Sequence, residues 1–129
     1  MLIPAKYLDG QPDPWELQPV AADKRLHVGT ALAFSGGTLN IASGATMPEF
    51  ICMQEVEASA AGQMVPVIRV SADTLYETEL AEASASIAAG TRYTLDANGE
   101  KITATSTSGV AEVVSFEGKA AGDHVRVHF

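Results

Sequence analysis

The last eight residues give the clearest indication of the fold: Gly122-Asp123-His124-Val125-Arg126-Val127-His128-Phe129. Apolar side chains at positions 125, 127 and 129 alternate with polar side chains at positions 124, 126 and 128. A period of two is typical of a β-strand that has one face in the core and the other in water. The sequence therefore predicts a closing strand whose valines face inward.

The same kind of signal recurs upstream. From Ala31 onward, short apolar runs rich in Val, Ile, Thr and aromatic residues alternate with Gly-containing turns at intervals of about ten residues. Hairpin loops are expected at Ser35-Gly36-Gly37 and Asp96-Ala97-Asn98-Gly99, whose residues tolerate positive φ. This spacing predicts an all-β fold, a small single domain like a β-barrel or β-sandwich. The predicted strands are residues 30–34, 38–41, 49–57, 63–70, 91–95, 101–105, 111–117 and 124–129.

The stretch 73–90 is ambiguous. Tyr76, Leu80, Ala83 and Ile87 fall near helical spacing, whereas positions 76, 78 and 80 fit one face of a strand equally well. Because every clear element around it is β, we expect a strand around residues 75–80 followed by an Ala/Ser-rich loop. A helix stays the alternative.

Residues 1–30 have a different composition. They contain four of the six prolines, and Gln11-Pro12-Asp13-Pro14 forces an extended or turning backbone. The sequence therefore divides into an extended N-terminal arm, 1–30, and a β-domain, 31–129. The arm has too many apolar residues for a free tail, so we expect it to lie on this domain or on a neighbour. Its candidate contact residues are Leu2, Ile3, Tyr7, Leu8 and Trp15.

The run Phe50-Ile51-Cys52-Met53 is apolar at every position. Such a run is typical of a strand that is covered on both faces. We expect the core to cover one face and the arm or another subunit to cover the other. Phe50, Ile51 and Met53 are therefore candidate subunit-interface residues.

Composition excludes several classes of function. A chain of 129 residues with a net charge of −8 repels phosphate backbones and anionic lipid headgroups, which disfavours partners of nucleic acid or membrane. Its single cysteine rules out an intrachain disulfide. No apolar stretch is long enough for a signal peptide or a membrane span, so neither is expected.

The sequence gives no sign of catalytic chemistry. His124 and His128 would stand about 13 Å apart on a strand, too far to share a zinc ion. Cys52 lies in an apolar run and reads as a small buried hydrophobe, and Glu77 and Glu79 alternate as solvent-facing strand residues do. Phosphate-cradling glycine motifs do not occur. We therefore expect no metal, no cofactor and no enzymatic activity.

Four segments carry a resemblance: AGTRYTLD at 89–96, NGEKI at 98–102, SGVAEVV at 108–114 and AGDHVRV at 121–127. Together with VPVIRV at 65–70 and Tyr76-Glu77-Thr78, they resemble the head decoration proteins of tailed phages. The resemblance covers about residues 47–129. The arm itself matches no motif of that family.

The resemblance implies a small β-barrel-like domain, often trimeric, that is made in the host cytoplasm and sits on the outer surface of the mature capsid. Its expected partners are the major capsid protein and two further copies of itself, and its expected role is to stabilise the shell. The Pro-rich arm would supply part of the docking. The alternative is another virion surface or tail module that binds a carbohydrate or a receptor.

Overall fold

Strands account for all the regular structure of this protein. The computed structural model describes residues 1–129 and contains twelve β-strands and no helix. The all-β prediction is thus confirmed. The strands are β1 (Ile3–Tyr7), β2 (Trp15–Val20), β3 (Lys24–Leu26), β4 (Ala31–Ser35), β5 (Thr38–Ile41), β6 (Phe50–Cys52), β7 (Val56–Ala58), β8 (Gln63–Arg69), β9 (Thr74–Glu79), β10 (Arg92–Tyr93), β11 (Ala111–Phe116) and β12 (His124–His128).

Five of these strands close into a barrel in the order β2-β5-β4-β6-β8. The pairs are antiparallel except where β2 meets β5 in parallel at Val20 and Leu39. Alternate side chains point inward and fill the interior, because a barrel of this size is filled by its own side chains. The buried residues of this core are Val20, Leu26, Leu32, Leu39, Phe50, Cys52, Ala58, Val65 and Val67.

A second sheet, in the order β1-β9-β12-β11-β10, is antiparallel throughout and packs against the outside of the barrel. The larger core lies between the two: it joins Ile51 and Ile68 of the barrel to Tyr76, Val125 and Val127 of the sheet. The predicted facing of the closing strand is confirmed, since the two valines are at most 1 % exposed and their neighbours face outward. A two-stranded ribbon, β3 with β7, completes the fold.

Residues 1–30 are part of this fold and do not form an extended arm. β1 pairs with β9, and all six residues of β2 pair with β8 inside the barrel. Leu2 is fully buried, and its N–H donates to the carbonyl of Gly29 over 2.9 Å. The apolar side chains of this segment thus find partners in their own chain, and the division at residue 30 is corrected to one domain. Prolines 12 and 14 lie in the connection between β1 and β2.

Two further strand predictions differ from the structure. The predicted strand 49–57 is divided, because β6 belongs to the barrel whereas β7 pairs with β3. In place of a strand over 101–105, only Ile102 makes isolated bridges, to Leu80 and Leu95. The stretch 73–90 contains β9 and then no regular element, so the strand-and-loop interpretation is confirmed over the helical alternative.

Candidate protein-interaction surfaces

The first strand forms a free edge of the five-stranded sheet. β1 pairs with β9 on one side only, with a bulge between Pro4 and Lys6. Ile3 is 37 % exposed and Leu8 is 54 % exposed, while Tyr7 is half-buried. We call Ile3, Tyr7 and Leu8 the β1 edge. Because a proline, a bulge and a lysine all discourage the pairing of a further strand, this edge offers side chains rather than backbone groups to a partner.

Two of the predicted contact residues are placed elsewhere. Leu2 has no exposed surface, so its assignment as a contact residue is corrected: it is a core residue. Trp15 lies on β2 in the barrel wall and is 62 % exposed, the most exposed large apolar side chain of the protein. On the same outward face stand Leu17 and Met64, which the sequence interpretation did not single out. The alternation of apolar and polar residues in Trp15-Glu16-Leu17-Gln18 could have predicted that Leu17 shares a strand face with Trp15.

The candidate interface residues of β6 are covered within their own chain. Phe50 points into the barrel and Ile51 points between the barrel and the five-stranded sheet, and each is at most 1 % exposed. A strand covered on both faces was the correct expectation, but the second cover is the chain's own sheet. Phe50 and Ile51 therefore have no surface left for a subunit contact, and this assignment is corrected. Met53 is half-buried and packs against the larger core.

The outward face of the five-stranded sheet is charged. The Glu77 carboxylate lies 3.0 Å from Nδ1 of His124 and accepts a hydrogen bond from Nε of Arg126 over 3.3 Å. The hydrogen bonds from these two side chains lower the pKa of Glu77. Glu112 repeats the arrangement, with Nη2 of Arg92 at 3.3 Å and Nε2 of His128 at 3.5 Å. We call this surface the charged face.

The register of the sheet explains these pairs. β12 lies between β9 and β11, and Arg126 stands directly opposite Glu77 while His128 stands opposite Glu112. The sequence predicted that Glu77 and Glu79 face solvent, and both are half-exposed. It did not predict their partners, because the contact between Glu77 and His124 joins residues 47 positions apart. Glu79 is paired with Lys101 over 3.0 Å, and the hydrogen bond from that lysine lowers the pKa of Glu79.

A shallow groove of about 470 Å³ runs between the β1 edge and the charged face. It is the largest concavity of the molecule, and its charged groups are Glu77, Glu79, His124 and Arg126. Each of these side chains is already paired, and Met1, which carries the α-amino group, also lines the groove.

The remaining chemistry-bearing residues are dispersed. Nowhere do three His, Cys, Asp or Glu side chains come close enough to hold a metal ion together. Cys52 is fully buried; its thiol donates to the carbonyl of Gln54, and burial raises its pKa. Burial likewise raises the pKa of the Tyr76 hydroxyl. The structure has no helix of the length and apolarity that crossing a bilayer requires.

No family model matches this chain, and no curated protein matches it. Four of the six segments that carry the resemblance lie in the five-stranded sheet, whereas residues 65–70 lie largely in β8 of the barrel and residues 98–102 lie outside the named strands. Gly109 lies against the backbone of Arg92, where a Cβ atom would come within 2.3 Å of the Arg92 carbonyl. Gly122, at a φ of +86°, turns the chain into β12. The backbone geometry of the sheet therefore accounts for both glycines.

Proposed function

We propose that this protein is a phage capsid decoration protein, which binds the outer surface of the mature head and stabilises the shell. The observation that carries the proposal is a juxtaposition in one sheet. Three of the segments that resemble decoration proteins contain β10, β11 and β12, and the β1 edge of the same sheet exposes Ile3 and Leu8. A rigid scaffold thus presents an apolar edge.

A decoration protein works through repeated modest contacts. Many copies bind equivalent sites on one shell, so each contact needs only moderate affinity when copies also hold one another. Such a protein needs a stiff domain, a surface for the shell and a surface for its own copies. It needs no catalytic residues, and we assign none.

The β1 edge is the proposed contact with the major capsid protein. The side chains of Ile3, Tyr7 and Leu8 would fill apolar pockets on the shell. Addition of a capsid strand to β1 is disfavoured by Pro4, the bulge and Lys6. The contact is therefore made by side chains, and it accompanies self-association as a homotrimer on the virion surface.

Sedimentation velocity with undecorated, expanded capsids tests this proposal. We expect the protein to co-sediment with the shells in a fixed stoichiometry. The double variant Ile3→Ser with Leu8→Ser should bind at least about tenfold more weakly, because burial of each apolar side chain contributes on the order of 1.5 to 3 kcal/mol. Val114→Ser is the matched control, since Val114 is 41 % exposed on β11, away from the β1 edge.

Two outcomes would contradict the proposal. Absence of co-sedimentation both at low salt, where attraction between opposite charges is strongest, and at high salt, where repulsion from the net charge of −8 is screened, would exclude the shell as partner. Equal binding by the double variant and the control would exclude the β1 edge. Point variants are used because removal of residues 1–11 would also remove β1 and the buried Leu2 from the fold.

A second candidate function is carbohydrate binding by a virion surface module. The exposed indole of Trp15 favours it, because a sugar ring can stack on an uncovered aromatic face. A signal on a glycan array that is lost in Trp15→Ala would support this function over capsid binding.

A further inference from the structure

The outer wall of the barrel is apolar, and only part of it is covered. Ile51 and Ile68 point outward from the barrel and are at most 2 % exposed, because the five-stranded sheet packs on them. Trp15 stands directly opposite Ile68 in the register of β2 and β8, yet it is 62 % exposed. The cover therefore stops between these two neighbouring strands.

The uncovered part is a contiguous surface, which we call the Trp15 face. It consists of alternate residues of the paired strands, with Leu17 opposite Pro66 and Pro19 opposite Met64. Leu17 is 61 % exposed and Met64 is 52 % exposed, whereas the two prolines are half-buried.

The Trp15 face bears no charge. Glu16 lies between Trp15 and Leu17 in sequence, but it stands opposite Val67, on the side of the strands that faces the barrel interior. Its carboxylate accepts hydrogen bonds from Gln18 and from Arg69, each within 2.8 Å. The hydrogen bond from Gln18, assisted by Arg69, lowers the pKa of Glu16. The charges of Glu16 and Arg69 are thus paired with each other and directed away from the face.

The charge of the whole protein indicates what covers this face. At a net charge of −8, two copies repel each other through any surface that carries acids. A surface without charge is where two like-charged copies can meet. Three large apolar side chains that are more than half exposed present a few hundred Å². That is on the order of the apolar centre of a standard interface, which buries about 800 Å² per partner.

We propose that the Trp15 face binds a second copy of this chain. The contact is made by side chains, because the exposed groups of this face are the large apolar side chains of Trp15, Leu17 and Met64. The second copy covers this half of the barrel wall as the chain's own sheet covers the other half. The inference deepens the proposed self-association, and it holds whether or not the protein binds a capsid.

The experiment uses the full chain, first alone and then with capsids added. Trp15 is the only tryptophan, so its fluorescence reports on this face alone. We expect the sedimentation coefficient to rise with protein concentration, and Trp15 emission to shift to shorter wavelength and lose accessibility to acrylamide over the same range. Leu17→Ser with Met64→Gln should weaken self-association by at least about 100-fold, because central apolar residues carry most of the binding energy of an interface. Val114→Ser and Leu8→Ser should leave it unchanged.

Three results would overturn the inference. One is a monomer at every concentration, with Trp15 open to the quencher. Another is an oligomer in which Trp15 stays accessible, which would place self-association on a different surface. A third is protection of Trp15 only after addition of capsids, which would assign the face to the shell. The fluorescence of the unaltered protein decides among these even if the double variant fails to fold.

Discussion

Two surfaces of this protein face away from the shared core, and they are built differently. The outward face of the five-stranded sheet holds Glu77 and Glu112, each between an arginine and a histidine. The outward wall of the barrel around Trp15 has no charged side chain. A paired charged surface is stable in water, whereas an uncharged apolar one gains free energy when it is covered. The contrast therefore separates a charged solvent face from the face that we propose as the docking surface.

The barrel and the five-stranded sheet also differ in their strand edges. The barrel closes on itself, with β2 and β5 paired only at Val20 and Leu39, while the five-stranded sheet runs from the two-residue β10 to a free edge at β1. That edge contains Pro4, a bulge and Lys6, features that keep edge strands from pairing with other chains. Association through this edge must therefore rely on side chains.

The largest effect is expected inside the barrel. Phe50→Ala should lower the free energy of unfolding by about 3 to 5 kcal/mol, because it leaves a cavity in a closed core. Phe34→Ala is the matched control: its ring packs edge-on against Phe50 at 5.6 Å but is 43 % exposed, so it should cost less. Denaturant melts at several protein concentrations measure both. If Phe50→Ala weakened association but left the stability unchanged, the residue would belong to a subunit interface after all.

The next effect tests whether the N-terminal strand belongs to the fold. Leu2→Ala should destabilise the protein by about 2 to 4 kcal/mol because Leu2 is fully buried in the larger core. Ile3→Ala, at the neighbouring exposed position, should cost less than about 1 kcal/mol. Thermal or urea melts compare the two variants. Equal and small costs would mean that β1 detaches in solution and behaves as an arm.

A smaller effect compares the two faces of β12. Val127→Ala should cost about 1 to 3 kcal/mol, since Val127 is fully buried between the sheet and the barrel. His128→Ala, which removes a half-exposed partner of Glu112, should cost less. A reversed order in denaturant melts would contradict the facing of this strand.

The smallest effect belongs to the charged face. The pKa of Glu77 is lowered below its ordinary value of 4.5 by the hydrogen bonds from His124 and Arg126. The ionised carboxylate therefore stabilises the folded state above that ordinary value, and this contribution is lost as the pH falls through the lowered pKa. Because the pairs are partly exposed, Glu77→Gln should cost no more than about 1 kcal/mol at neutral pH.

Unfolding free energies at neutral pH and at about pH 3, a value below the ordinary pKa of a glutamate, measure this difference. The difference between wild type and Glu77→Gln should be smaller at the lower pH than at neutral pH. A difference of unchanged size would assign the cost of the substitution to lost packing rather than to lost charge.

Local patterns predicted much of the fold. The alternation in 124–129 placed Val125 and Val127 in the core, and the uniformly apolar run at 50–53 indicated a strand covered on both faces; both outcomes hold. The candidate surfaces were predicted less well. Of the five N-terminal contact residues, Leu2 is buried and Trp15 lies on the barrel wall, because the sequence gives no information on which distant strand each segment joins.

Residue types and a period of two were sufficient to predict the all-β fold class and the inward and outward faces of the clearest strands. The net negative charge follows from composition alone. Three features are seen only in the tertiary structure: the barrel closes, β1 and β2 join different sheets, and the barrel wall beside Trp15 is exposed. These features depend on pairings between residues far apart in the chain, such as Leu17 with Pro66 and Ile3 with Glu77. Such pairings are selected by the packing of the whole core, and no local window of sequence contains them.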